Sequence, residues 1–154
     1  MKKTKVITYV RVCTDKQASK RNSLSNQEEI LKKYCDNKNY NVVKHYKDVC
    51  SGLDFDRQEW NNLMDFVKNN KNATDLILIS KWNRLSRNTE KTLEVVSKLS
   101  EMGIVVDSTE QPLDLTIADN KLMLLMYLTG GDKIFKPTEG LSCQNNNIKI
   151  YKEK

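Results

Sequence analysis

The sequence predicts an α/β domain: a mostly parallel sheet of four to five strands flanked by helices. Three observations carry this. Strand-like and helix-like patterns alternate as β-α-β-α-β-α-β, the order expected when helical crossovers join parallel strands. One strand pattern, "DLILIS" at residues 75–80, is continuously apolar instead of alternating, as a strand covered on both faces must be. And 154 residues, 38% of them apolar, are enough for one domain with its own core.

The elements follow in order. "KVITYV", residues 5–10, is β-branched and alternating, which predicts the first strand. "SNQE", residues 25–28, has the S-x-x-E form of a capping box, and Ile30, Leu31, Tyr34 and Cys35 recur behind it at helical spacing. That helix is expected to end near residues 37–39, with Cys35 in the core. "YNVVKHY", residues 40–46, predicts the second strand. Trp60, Leu63, Met64 and Val67 then stand at i, i+3, i+4, i+7, the signature of an amphipathic helix. After the "DLILIS" strand, a helix over residues 89–102 would point Leu93, Val96, Leu99 and Met102 inward and end at Gly103. "IVVD", residues 104–107, predicts a fourth strand. "ADNKLMLLMYL", residues 118–128, predicts a helix apolar nearly all round, hence buried or at an interface. From Thr129 the pattern breaks down. The tail holds three of the chain's five glycines and shows no sustained period, which predicts an irregular segment over residues 129–154 after a domain at 1–128.

Composition excludes several classes. No apolar run approaches a membrane span, and the short stretch after the first lysines is interrupted by Thr8 and Arg11, unlike a signal peptide. A cytoplasmic protein with no membrane partner is the expectation. The net charge of +6 suits an anionic partner such as nucleic acid, although lysine-rich composition alone produces the same sign. The four cysteines include no CxxC pair, and His45 is the one histidine. No zinc site, disulfide framework or histidine-dependent hydrolase is expected. His45 itself reads as a structural or surface residue. No G-x-G-x-x-G or Walker loop follows any strand, which disfavours a nucleotide enzyme. No metal or cofactor is implied.

In a parallel α/β sheet, chemistry collects beyond the carboxyl ends of the strands. Strand one delivers Arg11 and Cys13 there; strand two delivers Asp48, Cys50 and Ser51; strand three delivers "KWNRLSRN" with Arg84 and Arg87. The two arginines at i and i+3 would share a face if that turn is helical. Arg57 opens the next helix after strand two. Four guanidiniums converging beside Cys13 would attract an oxyanion, most simply a phosphate, and would favour the Cys13 thiolate. The plainer alternative is four separate surface arginines in ordinary ion pairs.

The stretches "YVRVCTDKQ", "SLSNQEEILKKYC", "DVCSGLDFDRQEWNNLM", "LILISKWNRLSRN" and "EQPLDL", taken together and in this order, resemble the catalytic domain of serine recombinases, the resolvase/invertase family. The resemblance implies an α/β catalytic domain that performs site-specific DNA recombination. In this family a serine attacks a DNA phosphodiester, forms a 5′-phosphoseryl link and frees a 3′-hydroxyl. Strands are exchanged within a tetramer and resealed without metal or nucleotide. By motif position, Cys13 stands in the nucleophile's place. Arg11, Arg57, Arg84 and Arg87 fall on the phosphate-binding arginines, and Arg11, Arg84 and Arg87 would contact DNA. Gln17 and Gln27 match glutamines that order the site, and Asp48 matches an acidic residue before the "SG" turn.

Three departures stand out. Position 13 is cysteine where the family has serine. Asn83 replaces a common aspartate. And "GG" at residues 130–131 falls where the family's long dimerisation helix would continue toward a DNA-binding domain, as a truncation or frameshift would produce. The expectation is therefore recombination chemistry that is impaired in this chain, with the family's dimer or tetramer weakened. The alternatives are an inactive remnant that keeps weak DNA binding or self-association, and a redox-sensing thiol protein.

Overall fold

A computed structural model describes residues 2–13, 17–50 and 56–129, with the backbone alone over 17–23. Four strands, β1 (Lys5–Val12), β2 (Asn41–Val49), β3 (Leu76–Ile79) and β4 (Val105–Ser108), form one parallel sheet in the order β2-β1-β3-β4. The helices are α1 (Gln17–Asn37), α2 (Gln58–Asn69), the single turn α3 (Trp82–Leu85), α4 (Thr89–Glu101) and α5 (Ala118–Leu128).

Strand alternation sorts the core into two layers. Val6 and Val10 of β1 join Leu76 and Leu78 of β3 against Leu31 and Cys35 of α1. Ile7, Tyr9, Ile77 and Ile79 point the other way, into a larger layer with Trp60, Leu63, Trp82, Leu85, Leu99, Leu124 and Leu128 from α2 to α5. This is why "LILI" is buried at all four positions: each face of β3 meets helices. The sheet thus has α1 on one side and the other helices on the opposite side.

Two helices end alike. Gly103 has φ +76, and the amides of Gly103 and Ile104 return to the carbonyls of Ser100 and Leu99, a Schellman closure. After α1 the same closure is made with Asn39 at φ 54, a position asparagine tolerates better than most residues.

Several expectations need correction. Helix α1 begins eight residues before the S-x-x-E signature, so Ser25 lies inside the helix and caps nothing. Leu24 packs against the α1 layer, a tertiary contact that extends the helix past a local signal, while Glu28 reaches His45 and Lys47 on β2. Strands β1 and β2 each run further than the sequence pattern implied, to Val12 and Val49. Met102, expected inward, is the exposed C-cap residue of α4. And α3 stops at Leu85, with Ser86 extended, so Arg84 and Arg87 do not share a helical face. Helix α5 forms where expected, but Leu122 and Leu125 are 62% and 41% exposed; it is not wholly buried among the described residues. No helix among them is long and apolar enough to cross a membrane.

Asp48, near the end of β2, is a fold determinant. The N-cap residue of α2, Arg57, makes no capping bond with its own side chain. Asp48 does that work from the sheet: its carboxylate accepts from the amides of Glu59 (3.1 Å) and Trp60 (3.0 Å) and from the Tyr9 hydroxyl (2.9 Å). Charged acceptors at a helix N-terminus satisfy amides that have no partner within the helix. Asp48→Ala should lower unfolding free energy by about 2–3 kcal/mol, measured by urea denaturation, whereas Glu29→Ala, at an exposed ion pair with Lys33, should leave it unchanged within error.

Candidate active site at the strand ends

The strand order reverses direction at β1: the chain moves from β1 to β2 on one side, then crosses back to β3 on the other. A crevice opens at such a switch point, beyond the carboxyl ends of the strands. Arg11 fills it. Its side chain has no exposed surface, and every nitrogen of the guanidinium donates: Nε to the Arg84 carbonyl (3.0 Å), Nη2 to the Asn83 carbonyl (2.8 Å), Nη1 to the Cys50 carbonyl (2.9 Å) and to Cys13 Sγ (3.3 Å). One buried cation therefore ties the loop after β3 to the end of β2. Its backbone is held as well. The β1–β3 pairing ends at Thr8 and Leu78, and beyond it the Gln27 carboxamide takes the place of a strand, accepting from the Arg11 amide (3.3 Å) and donating to its carbonyl (3.1 Å).

Cys13 is half-buried one residue past β1. Its sulfur lies between the Arg11 guanidinium and that of Arg87, whose Nη2 is 3.6 Å away. Partial burial pushes the Cys13 thiol up, but the hydrogen bond from Arg11 and the charges of Arg11, Arg87 and Arg84 outweigh it, and the thiol sits below its ordinary value. Cys35 behaves oppositely: burial, and then Asp36, push its thiol up. Arg84 is half-buried and Arg87 exposed. These two guanidiniums face outward beside the sulfur, available to an anion, whereas Arg11 is committed to the protein.

Arg57 does not join this group. It is buried behind the strand ends, with Nη1 donating to the Tyr9 hydroxyl (3.0 Å) and the Leu85 carbonyl (2.6 Å). The expected convergence of four arginines on Cys13 is thus a convergence of three, with Arg57 tied instead to Tyr9 and to the Leu85 carbonyl next to Arg84. Burying a guanidinium requires acceptors in fixed positions, and Tyr9 and Leu85 come from elements distant in sequence. Asn83 contributes its backbone carbonyl to Arg11, while its buried side-chain oxygen has no hydrogen-bond partner among the described residues. The Gln17 side chain and Ser51 lie outside the described residues.

Two contributors escaped the sequence reading. Tyr9 alternates onto the face of Arg11, which was the available signal, and it packs edge-on against Trp60 at 5.1 Å. Gln111, within "EQPLDL", braces the β3 loop: its side-chain oxygen accepts from the Trp82 amide (3.0 Å) and its carbonyl from the Trp82 indole (2.8 Å). His45 is structural, bridging Thr8 (2.7 Å) and Glu28 (3.0 Å).

The reactivity of the sulfur should report this arrangement. Because the thiolate is the reactive form, Cys13 should retain its alkylation rate as pH falls below the range where an ordinary cysteine slows. Arg87→Gln should move the Cys13 profile to higher pH without unfolding the domain. The check is iodoacetamide labelling across pH, resolved by peptide mass spectrometry.

Comparison with known proteins supplies the family. A model described as "Resolvase, N terminal domain" matches residues 6–129. The N-terminal catalytic domain of TP901-1 integrase is 29% identical and superposes with a TM-score of 0.68, covering 85% of this chain and 96% of that one. A resolvase family site-specific recombinase from Streptococcus pneumoniae is 24% identical with a TM-score of 0.64, covering 97% of this chain and 93% of that one. The C-terminal catalytic domain of ISC1926 TnpA, an IS607-like serine recombinase, is 23% identical with a TM-score of 0.61, covering 84% and 97%; the last two bear on the fold alone. The buried Arg11, the Cys13 sulfur and the guanidiniums of Arg84 and Arg87 lie inside the matched span, and the chain belongs to the resolvase family, whose N-terminal domain it carries over residues 6–129.

Proposed function

We propose that this chain performs the cleavage step of site-specific DNA recombination with sulfur in place of oxygen. The observation that carries the reading is Cys13 Sγ within reach of the Arg11 and Arg87 guanidiniums, with Arg84 beside it. The Cys13 thiolate attacks the phosphorus of a DNA phosphodiester. An S–P bond forms, the P–O3′ bond breaks, and the 3′-oxygen leaves and takes a proton. The 5′-phosphoryl end stays on the protein until a 3′-hydroxyl reverses the step. Arg84 and Arg87 hold the nonbridging oxygens as charge develops there. Arg11 is a positioning residue that aims the sulfur; Arg57, Gln27 and Asp48 brace the elements that carry the site. Gln17 and Asn83 stand by motif position as supporting residues. No metal or cofactor enters the step. The setting is cytoplasmic DNA, with residues 1–128 as the catalytic domain and 129–154 as a divergent tail.

The chemistry should be slow. Sulfur is larger and softer than oxygen, and a small displacement of the attacking atom costs about 100-fold in rate. Incubation with supercoiled DNA followed by denaturing electrophoresis should show low levels of a protein–DNA adduct whose S–P link iodine splits. Cys13→Ala should abolish the adduct, and Arg84→Ala or Arg87→Ala should reduce it by about 100-fold. An adduct that survives Cys13→Ala would assign the chemistry elsewhere.

The exposed Leu122 and Leu125 of α5 favour a second reading, in which self-association outlasts catalysis. Apolar side chains left in water on one helix face gain by meeting a second copy. Sedimentation should show a concentration-dependent dimer, and Leu125→Glu should weaken it by about tenfold or more. A strict monomer at high concentration would remove this reading.

A further inference from the structure

A second thiol stands beside the first. Val12 and Val49 are the last register pair of β1 and β2, completed by the Cys50 amide donating to the Val12 carbonyl at 2.9 Å, and Cys13 and Cys50 are the next residues on each strand. Cys13 and Cys50 are therefore opposite one another just past the strand ends. Side chains of opposed residues in parallel strands share a face. Here that face is the one of Tyr9 and Arg11 on β1 and of Tyr46 and Asp48 on β2, since Tyr9 packs with Tyr46 in one core layer and bonds Asp48. A single nitrogen, Arg11 Nη1, touches both residues, donating to Cys13 Sγ at 3.3 Å and to the Cys50 carbonyl at 2.9 Å. Neighbouring strands lie about 4.7–4.9 Å apart, within the Cα separation of about 4.4–6.8 Å that a disulfide spans. Both residues are partly accessible thiols. Cys35 lies in the layer on the other face of the sheet, so it cannot compete.

We propose that Cys13 and Cys50 form a reversible oxidation site that a hydroperoxide closes into a disulfide. The Cys13 thiolate attacks the terminal oxygen of the hydroperoxide. The O–O bond breaks, an S–O bond forms, and the alkoxide or hydroxide leaves and takes a proton. The product is a Cys13 sulfenic acid. Cys50 sulfur then attacks Cys13 sulfur, the S–OH bond breaks, and hydroxide leaves as water with the Cys50 proton. Two thiols supply the two electrons that reduce the peroxide, and a dithiol reverses the change. The adjacent guanidiniums keep the first sulfur as thiolate, the form the first step requires. On the reading of Cys13 as DNA nucleophile, the disulfide silences cleavage; formation of the disulfide does not depend on that reading.

The test uses the full chain and mild hydrogen peroxide, followed by alkylation, trypsin and mass spectrometry. The expected product joins "VCTDK" (residues 12–16) to "DVCSGLDFDR" (residues 48–57), is restored to two alkylated peptides by dithiothreitol, and exceeds any Cys13–Cys143 link by about tenfold, as proximity dictates. Cys50→Ser should instead leave a Cys13 sulfenic acid that dimedone traps. Cys13→Ser should leave Cys50 unoxidised under the same conditions. Cys13 overoxidised with Cys50 still alkylated, or Cys13 linked mainly to Cys143, would overturn the proposal. The readout is covalent and independent of DNA cleavage, so an intact disulfide in a protein that never forms a DNA adduct would fault the nucleophile reading and leave this one standing.

Discussion

The buried guanidinium of Arg11 is the constraint on which the strand-end architecture depends. A cation taken fully out of water is costly unless its donors are all satisfied. Here four of the five N–H donors meet three backbone carbonyls and one sulfur among the described residues. Because those carbonyls belong to Cys50, Asn83 and Arg84, satisfying the cation fixes the loop after β3 against the end of β2. Cys13 is drawn into the same network, and its sulfur is held where the outward guanidiniums of Arg84 and Arg87 also reach.

This divides the arginines by what they face. Arg11 and Arg57 are structural cations, the first in the crevice between strands, the second on the Tyr9 hydroxyl and the Leu85 carbonyl. Arg84 and Arg87 keep surface toward solvent and give the site its outward charge. Tyr9 joins Arg57 to Asp48, the residue that caps α2, since its hydroxyl receives from the one and donates to the other.

Much of this was legible in the sequence. The four parallel strands, α2, α4 and α5 followed from periodicity, because each buries one face or both against a core that rewards regular spacing. The grouping of Cys13, Arg11, Arg84 and Arg87 followed from the rule that parallel strands collect chemistry at their carboxyl ends. What escaped depends on contacts between distant segments. The start of α1 was misread because an S-x-x-E pattern is a local signal, and Leu24 finds its stabilising contacts in the sheet. Arg84 and Arg87 would have shared a face had their turn been helical, yet Ser86 is extended, and it is Arg87 that contacts the sulfur while Arg84 acts on it as a nearby charge. Arg57 was expected to converge on Cys13 with the other arginines, because no local pattern reveals that Tyr9 and Leu85 stand ready to accept from it. Asp48 was placed correctly at a strand end, but its capping of α2 is visible only in three dimensions.

The central claim is that Arg11 organises an anion site around the Cys13 sulfur. The most direct measurement is protection of Cys13 from neutral iodoacetamide by inorganic phosphate, with Cys143 as the internal reference. The account predicts that phosphate slows Cys13 selectively, and that the protection is lost both in Arg84→Gln/Arg87→Gln, which removes the outward charge, and in Arg11→Lys, which keeps a charge but cannot reproduce the fork of donors. Equal slowing of Cys13 and Cys143, or full protection in Arg11→Lys, would contradict it.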